Sequence, residues 1–181
     1  MTDTPSTPTP NLAADEKITP VMLYTANSLI RAGVITKENI RVSIWLRMAG
    51  APEFLHLREA NVLTFGISLQ SQNFTDYFIS AQQVLAFHLL PPANDPVDYD
   101  ETEVNRKMEP LTVMVGSFRF NGHTRMSTQT DLATHLSIMR SPLVSIYTID
   151  ITNPNLQAMG VLKVPFALVR TSGVTFGSRA A

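Results

Sequence analysis

Cysteine is absent from this 181-residue chain, which excludes a disulfide framework, a thiolate zinc site, an iron–sulfur cluster and a cysteine nucleophile. Glycine is scarce: the eight present are scattered, and none falls in a Walker loop or a G-x-G-x-x-G turn, so the usual backbone cradles for nucleotide phosphate are missing. Charge is sparse too. Charged residues make up 16% of the chain against about 25% in an ordinary soluble domain. The net charge of −1 removes the broad attraction that a basic protein has for nucleic acid or an anionic membrane. No run approaches the roughly 20 apolar residues of a membrane span, and the first residues, MTDTPSTPTPNLAADEK, lack the basic and apolar regions of a secretory signal. The expectation is a cytoplasmic protein without a membrane partner.

What is present is apolar material, 44% of the chain, enough for a sizeable core and more than the charged residues can screen. Self-association is therefore expected. Residues 1–17, with Pro5, Pro8 and Pro10 among Thr, Ser and Asp, read as a solvated tail because they cannot repay the entropy of ordering. Residues 18–92 are expected to form a first β-rich lobe, 93–109 an acidic, proline-bearing linker, and 110–177 a second β-rich lobe.

Within the first lobe two readings compete: Val21, Leu23, Tyr24 and Ala26 on a helix capped by Thr19, with Pro20 at its first position and Gly33 past its end, or Ser28 to Ile35 as a strand kinked at Gly33. Residues 40–47 alternate as a half-buried strand does. Phe54 to Phe65 and Tyr77 to Leu90 read as strands, the latter ending in an apolar run that predicts burial on both faces. In the second lobe, Leu111 onward reads as a strand with a turn at Asn121-Gly122. Gln129 to Met139 has helical spacing, with Thr128 or Thr130 as cap and Asp131 in the first turn. Leu143 to Ile151 and Val161 to Arg170 come next as strands, with Pro165 marking an edge or bulge.

A faint repeat links the halves. Ser28 to Val34 aligns with Ser117 to His123, each followed by an amphiphilic segment and a proline. Phe54-Leu-His-Leu aligns with Leu143-Val-Ser-Ile, and Phe87-His-Leu-Leu90 with Phe166-Ala-Leu-Val169. By analogy with 131–140, residues 40–47 become helical. On these features the chain resembles uncharacterised bacterial small β-domain families that occur as tandem copies. The resemblance implies a β-rich α+β fold in which two tandem, half-open β-barrel-like lobes, each with a short helix, pack as one body. It carries no site residues across.

Candidate chemistry is thin. His56, His88, His123 and His135 share no i, i+4 spacing, so no metal site and no cofactor are expected. Asp95, Asp98, Asp100, Glu101 and Glu103 lack the glycine and terminal glutamate of a calcium loop and read as a solvated acidic linker. Ser127 to Asp131 lacks a nucleophile elbow and suits helix capping. The sharpest constellation is Arg119, Phe120, His123 and Arg125, with Phe118 and Arg140 near them, a basic and aromatic face of the kind that stacks single-stranded bases. Alternating arginines also simply solvate the outside of a strand. A third alternative is an enzyme in an inter-lobe cleft, with His123 or His135 oriented by Asp131 or Asp150. The expected function is a non-enzymatic assembly module, with no catalytic residues, acting on itself or on another protein, with exposed strand edges as one route.

Overall fold

A computed structural model describes residues 12–48 and 51–178. Ten strands run in chain order: β1 (Glu16–Tyr24), β2 (Ser28–Lys37), β3 (Phe54–Thr64), β4 (Gln70–Ser80), β5 (Ala86–Leu89), β6 (Arg106–Val115), β7 (Phe118–Ser127), β8 (Leu143–Thr152), β9 (Leu162–Arg170) and β10 (Thr175–Ser178). Helix α1 (Val42–Trp45) comes after β2 and helix α2 (Leu132–Ile138) after β7. All ten strands join one open antiparallel sheet in the order β10-β6-β7-β8-β9-β5-β1-β2-β3-β4. The expectation of two half-open barrel-like lobes is overturned by this continuity. Strands β5 and β9 hydrogen-bond to each other, Ala86 opposite Val169 and Phe87 opposite Leu168, so the chain's two halves share one ladder instead of packing as closed bodies.

Two hydrophobic clusters form on this one sheet. The first takes Val21, Leu23, Ile30, Leu55, Leu57 and Ile79 from the N-terminal half, plus Leu143 and Leu168 from the other. The second takes Leu111, Val113, Phe120, Ile146 and Ile149, plus Tyr24 and Ala86 from the N-terminal half. Neighbouring residues of one strand, Ala86 and Phe87 or Leu168 and Val169, belong to different clusters. Because successive side chains on a strand point to opposite faces, the clusters lie on opposite faces of the sheet's centre. That is why the run Val84 to His88 is buried throughout: β5 serves both cores.

Several local expectations are corrected by this pairing. Residues 19–26 are not helical; Thr19 to Tyr24 pair in β1 with β2 and β5, since β1 is a central strand whose Met22 and Tyr24 face one cluster while Val21 and Leu23 face the other. Glu16 and Lys17, placed in the tail, begin β1; the rest of that tail as far as residue 11 lies outside the described residues. Residues 42–45 are helical, as the comparison of the halves suggests and local alternation does not. Asn121-Gly122 is not a turn. The hairpin is closed at Gly116-Ser117, between Val115 and its partner Phe118, with Gly116 at φ 58°, the left-handed backbone that such a two-residue turn requires.

Gly122 instead sits opposite a bulge. The β7–β8 register shifts between Asn121 and His123, and Thr148 there has φ 48°. The β2–β3 register shifts in the same way between Arg31 and Gly33, beside Glu59, also at φ 48°. A left-handed non-glycine residue costs about 1–2 kcal/mol. Each bulge offsets that cost by resetting the side-chain alternation. Leu55, Leu57, Ala60 and Val62 all face the first core, and Val144, Ile146, Ile149 and Ile151 all face the second, which strict alternation across Glu59 or Thr148 would prevent. Among the described residues no helix is long and apolar enough to cross a membrane.

Candidate functional site

The sheet ends in two strands with one neighbour each, β4 and β10. Natural sheets usually protect such edges with lysine, proline, bulges or shortness. At β4 these devices are lacking: its 11 residues, QSQNFTDYFIS, contain no proline and a single charge, Asp76. That charge is neutralised sideways, not toward the edge: Asp76 Oδ1 accepts from Arg58 at 2.9 Å and lies 2.7 Å from His56 Nε2. The hydrogen bond with His56, aided by the nearby Arg58 charge, holds the Asp76 carboxyl below its ordinary pKa. His56 in turn stacks on Phe78, ring centroids 4.5 Å apart. Phe78 opposes His56, and Phe54 opposes Ser80, in the β3–β4 ladder. Phe54 is 56% exposed and Phe78 62% exposed. Two phenylalanines held open beside a strand edge whose one charge is already paired form a surface that covering by protein would stabilise, each half-exposed side chain by about 1–2 kcal/mol.

The basic and aromatic constellation is split by the strand that carries it. In β7, Phe118, Phe120, Gly122, Thr124 and Met126 point into the core, while Arg119, His123 and Arg125 point outward. Phe120 is 0% exposed and packs edge-on against Tyr24 at 4.9 Å, so it offers no face to a base. Arg125 is engaged: it bonds Glu103 and the Asp100 carbonyl, each at 2.5 Å, and lies over the Tyr99 ring. Arg140 lies in the loop after α2 and Arg119 is exposed. Thus Arg119 and His123 remain on the outer face without their aromatic partner.

His123 borders an open concavity of about 540 Å³ with Asn121, Thr148, Asp150 and Lys163. Among the described residues, neither His123 nor His135 hydrogen-bonds Asp150 or Asp131. Asp131 caps α2, accepting from the Thr134 N–H at 2.7 Å, a role expected of Thr128 or Thr130. Among the described residues no cluster of three His, Asp or Glu side chains could hold a metal.

The acidic segment, read from sequence as solvated, is fastened to both halves. Asp95 accepts from Ser43 at 2.5 Å. Asp98 accepts from Arg47 and Ser145, each at 2.7 Å, and from the Tyr147 hydroxyl at 2.5 Å. Arg47 also donates to Ser145. Partial burial pushes the Asp98 carboxyl upward, but the donors from Tyr147, Ser145 and Arg47 outweigh it and leave its pKa below the ordinary range. The segment therefore straps α1 of one half to β8 of the other. Sequence reading misses this because the donors are scattered from residue 43 to 147; the only local signal is Tyr99 among the acids.

His88, buried in β5, lies 3.1 Å from the Tyr24 hydroxyl through Nε2 and 2.9 Å from the Leu89 carbonyl through Nδ1. The carbonyl can only accept, so Nδ1 carries the proton and Nε2 accepts from Tyr24. Burial lowers the His88 pKa, only partly opposed by that carbonyl. The unfolded chain thus takes up the proton first as pH falls. The stability conferred by neutral His88 is complete above the unfolded value, about 6.5, and is lost as pH drops below it toward the folded value. Melting temperature is expected to fall between pH 7.5 and 5.5, and by less in a His88→Gln variant; scanning calorimetry across that range is the check.

Comparison with protein families, with curated proteins and with solved structures finds no match to this chain.

Proposed function

We infer that this protein is a non-enzymatic assembly module that acts through protein–protein contacts at its sheet edge. One observation carries this: β4 presents eleven residues with one side-chain charge, and the rings of its own Phe78 and of Phe54 on the neighbouring β3 are exposed. An unpaired strand of that character gains both ladder hydrogen bonds and apolar burial when another strand docks on it. A cytoplasmic setting suits a chain without cysteine, where disulfides are not maintained.

The test is light scattering coupled to size exclusion at micromolar concentration, with pull-down alongside. The wild type is expected to run as an oligomer or to retain a protein partner. A Phe54→Glu/Phe78→Glu variant, with unchanged circular dichroism, is expected to run as a lone monomer. A wild type that is monomeric and retains nothing would sink the proposal.

A further inference from the structure

The two halves of the sheet have the same internal order. Counting within each half, the strands run fifth, first, second, third, fourth: β5-β1-β2-β3-β4 and then β10-β6-β7-β8-β9. The registers coincide as well. Ser28 and Phe118 begin the second strands, the bulge residues Glu59 and Thr148 lie in the third, and Leu23 opposes Phe87 as Val113 opposes Phe176. These counterparts are 89 or 90 residues apart. Within the molecule, the fourth strand of the second half (β9) pairs with the fifth strand of the first (β5). Among the described residues the pairing leaves free one fourth strand, β4, and one fifth strand, β10. These are the two types of edge that join at the internal seam.

The side chains at the free edge match those buried at the seam. The β3–β4 and β8–β9 ladders superpose Phe54 on Leu143 and Phe78 on Leu168. Leu143 and Leu168 are 5% and 0% exposed because the first half covers them. Phe54 and Phe78 are large and apolar at the same positions, and among the described residues no strand covers them. On the opposite edge, β10 is four residues long, as β5 is, and Met114, at the position of the seam residue Tyr24, is 38% exposed.

Resting on the assembly reading above, we propose that the partner is a second copy of this chain and that copies join head to tail, β10 of one on β4 of the next, repeating the β5–β9 seam. The seam pairs Ala86 with Val169 and Phe87 with Leu168. Transferred to the free edges, it sets Thr175 opposite Ile79 and Phe176 opposite Phe78. Such an interface is heterologous, so it closes into a ring or continues as a filament. A two-fold dimer through β4 alone is a different structure and leaves β10 uninvolved.

Because the chain has no cysteine, cross-linking reads this register directly. Directly opposed strand residues have Cα atoms about 4.5–5.5 Å apart, within disulfide range. The double variant Phe78→Cys/Phe176→Cys is expected to oxidise into covalent dimers and higher multiples. Either single variant alone is expected to stay uncross-linked, and the two singles mixed should give a one-to-one dimer. A non-covalent version uses substitutions at exposed or partly exposed positions. Phe54→Glu/Phe78→Glu and Met114→Glu/Thr175→Glu are each expected to be monomeric, and their mixture to give a 1:1 dimer through the single intact pair of edges. Cross-linking of Phe78→Cys with itself, or assembly of Met114→Glu/Thr175→Glu at wild-type size, would overturn the head-to-tail arrangement while leaving the assembly function standing. So would a wild type found joined only to a different protein. A wild type that is monomeric and partnerless would overturn both.

Discussion

Phe120→Ala is expected to destabilise the protein by about 3–5 kcal/mol, a large part of the roughly 5–15 kcal/mol that a domain has. The ring is fully buried and meets Tyr24, a residue of β1 in the other half, so its removal opens a cavity where the halves interlock. Neighbours there are constrained from collapsing, since Tyr24 is also tied to His88 and wedged by Phe118 at 4.9 Å. Urea denaturation measures the loss. The outcome also separates two roles for this residue: a base-stacking ring would cost little stability when removed, whereas a core ring costs several kcal/mol. Arg119→Ala, one residue away on the outer face, is expected to stay within about 0.5 kcal/mol of wild type.

Gly116→Ala is expected to cost about 3 kcal/mol, from two sources. The left-handed backbone at φ 58° accounts for about 1–2 kcal/mol in any residue with a Cβ. The remainder is steric: a Cβ at this position would lie 2.6 Å from the Ala26 carbonyl oxygen and 2.9 Å from that of Thr25. Those are backbone atoms of the β1–β2 turn, held by Thr25 hydrogen bonds to Ser28, and they cannot swing aside as a side chain would. A Gly116→Ala loss in thermal melts no larger than the about 1–2 kcal/mol of the backbone conformation would refute the close approach of the turns.

Phe120 and Gly116 both touch the other half of the chain, and such contacts are the least legible from sequence. The alternation of residues 54–57 and 143–146 is readable because Leu55 and Leu57 share one core and Val144 and Ile146 share the other, and the phase of a period-two pattern is local information. The bulges are harder to read. Leu55, Leu57, Ala60 and Val62 repeat the spacing of Val144, Ile146, Ile149 and Ile151, a signal that is present in the sequence but reads as broken under a strict alternation rule. Aligning Gly33 with Gly122 puts the repeat one residue out, and a one-residue slip exchanges core and outer faces along a whole strand. Matching Phe87 with Phe166 joins strands that are neighbours at the seam; the counterpart of Phe87 is Phe176. Residues 19–26 resemble a helix because a proline after a threonine is a good helix start, and only the pairing of β1 on both sides overrides that preference.

By itself, the sequence determined the features that composition and short-range pattern control. The missing cysteines and phosphate loops exclude their chemistries outright, low charge predicts a surface that favours covering, and β-branched alternation predicts strands. Tertiary structure alone decided that the halves share one sheet, because the ladder between β5 and β9 joins segments far apart in the chain, which no local pattern encodes. It decided too that the acids of residues 95–103 form a strap, since Arg47, Ser145 and Tyr147 reach Asp98 only once the sheet has brought α1 beside β8. And it decided the site: Phe54 and Phe78 look like any strand phenylalanines in the sequence, and become a surface because β4 is the strand at which the sheet stops.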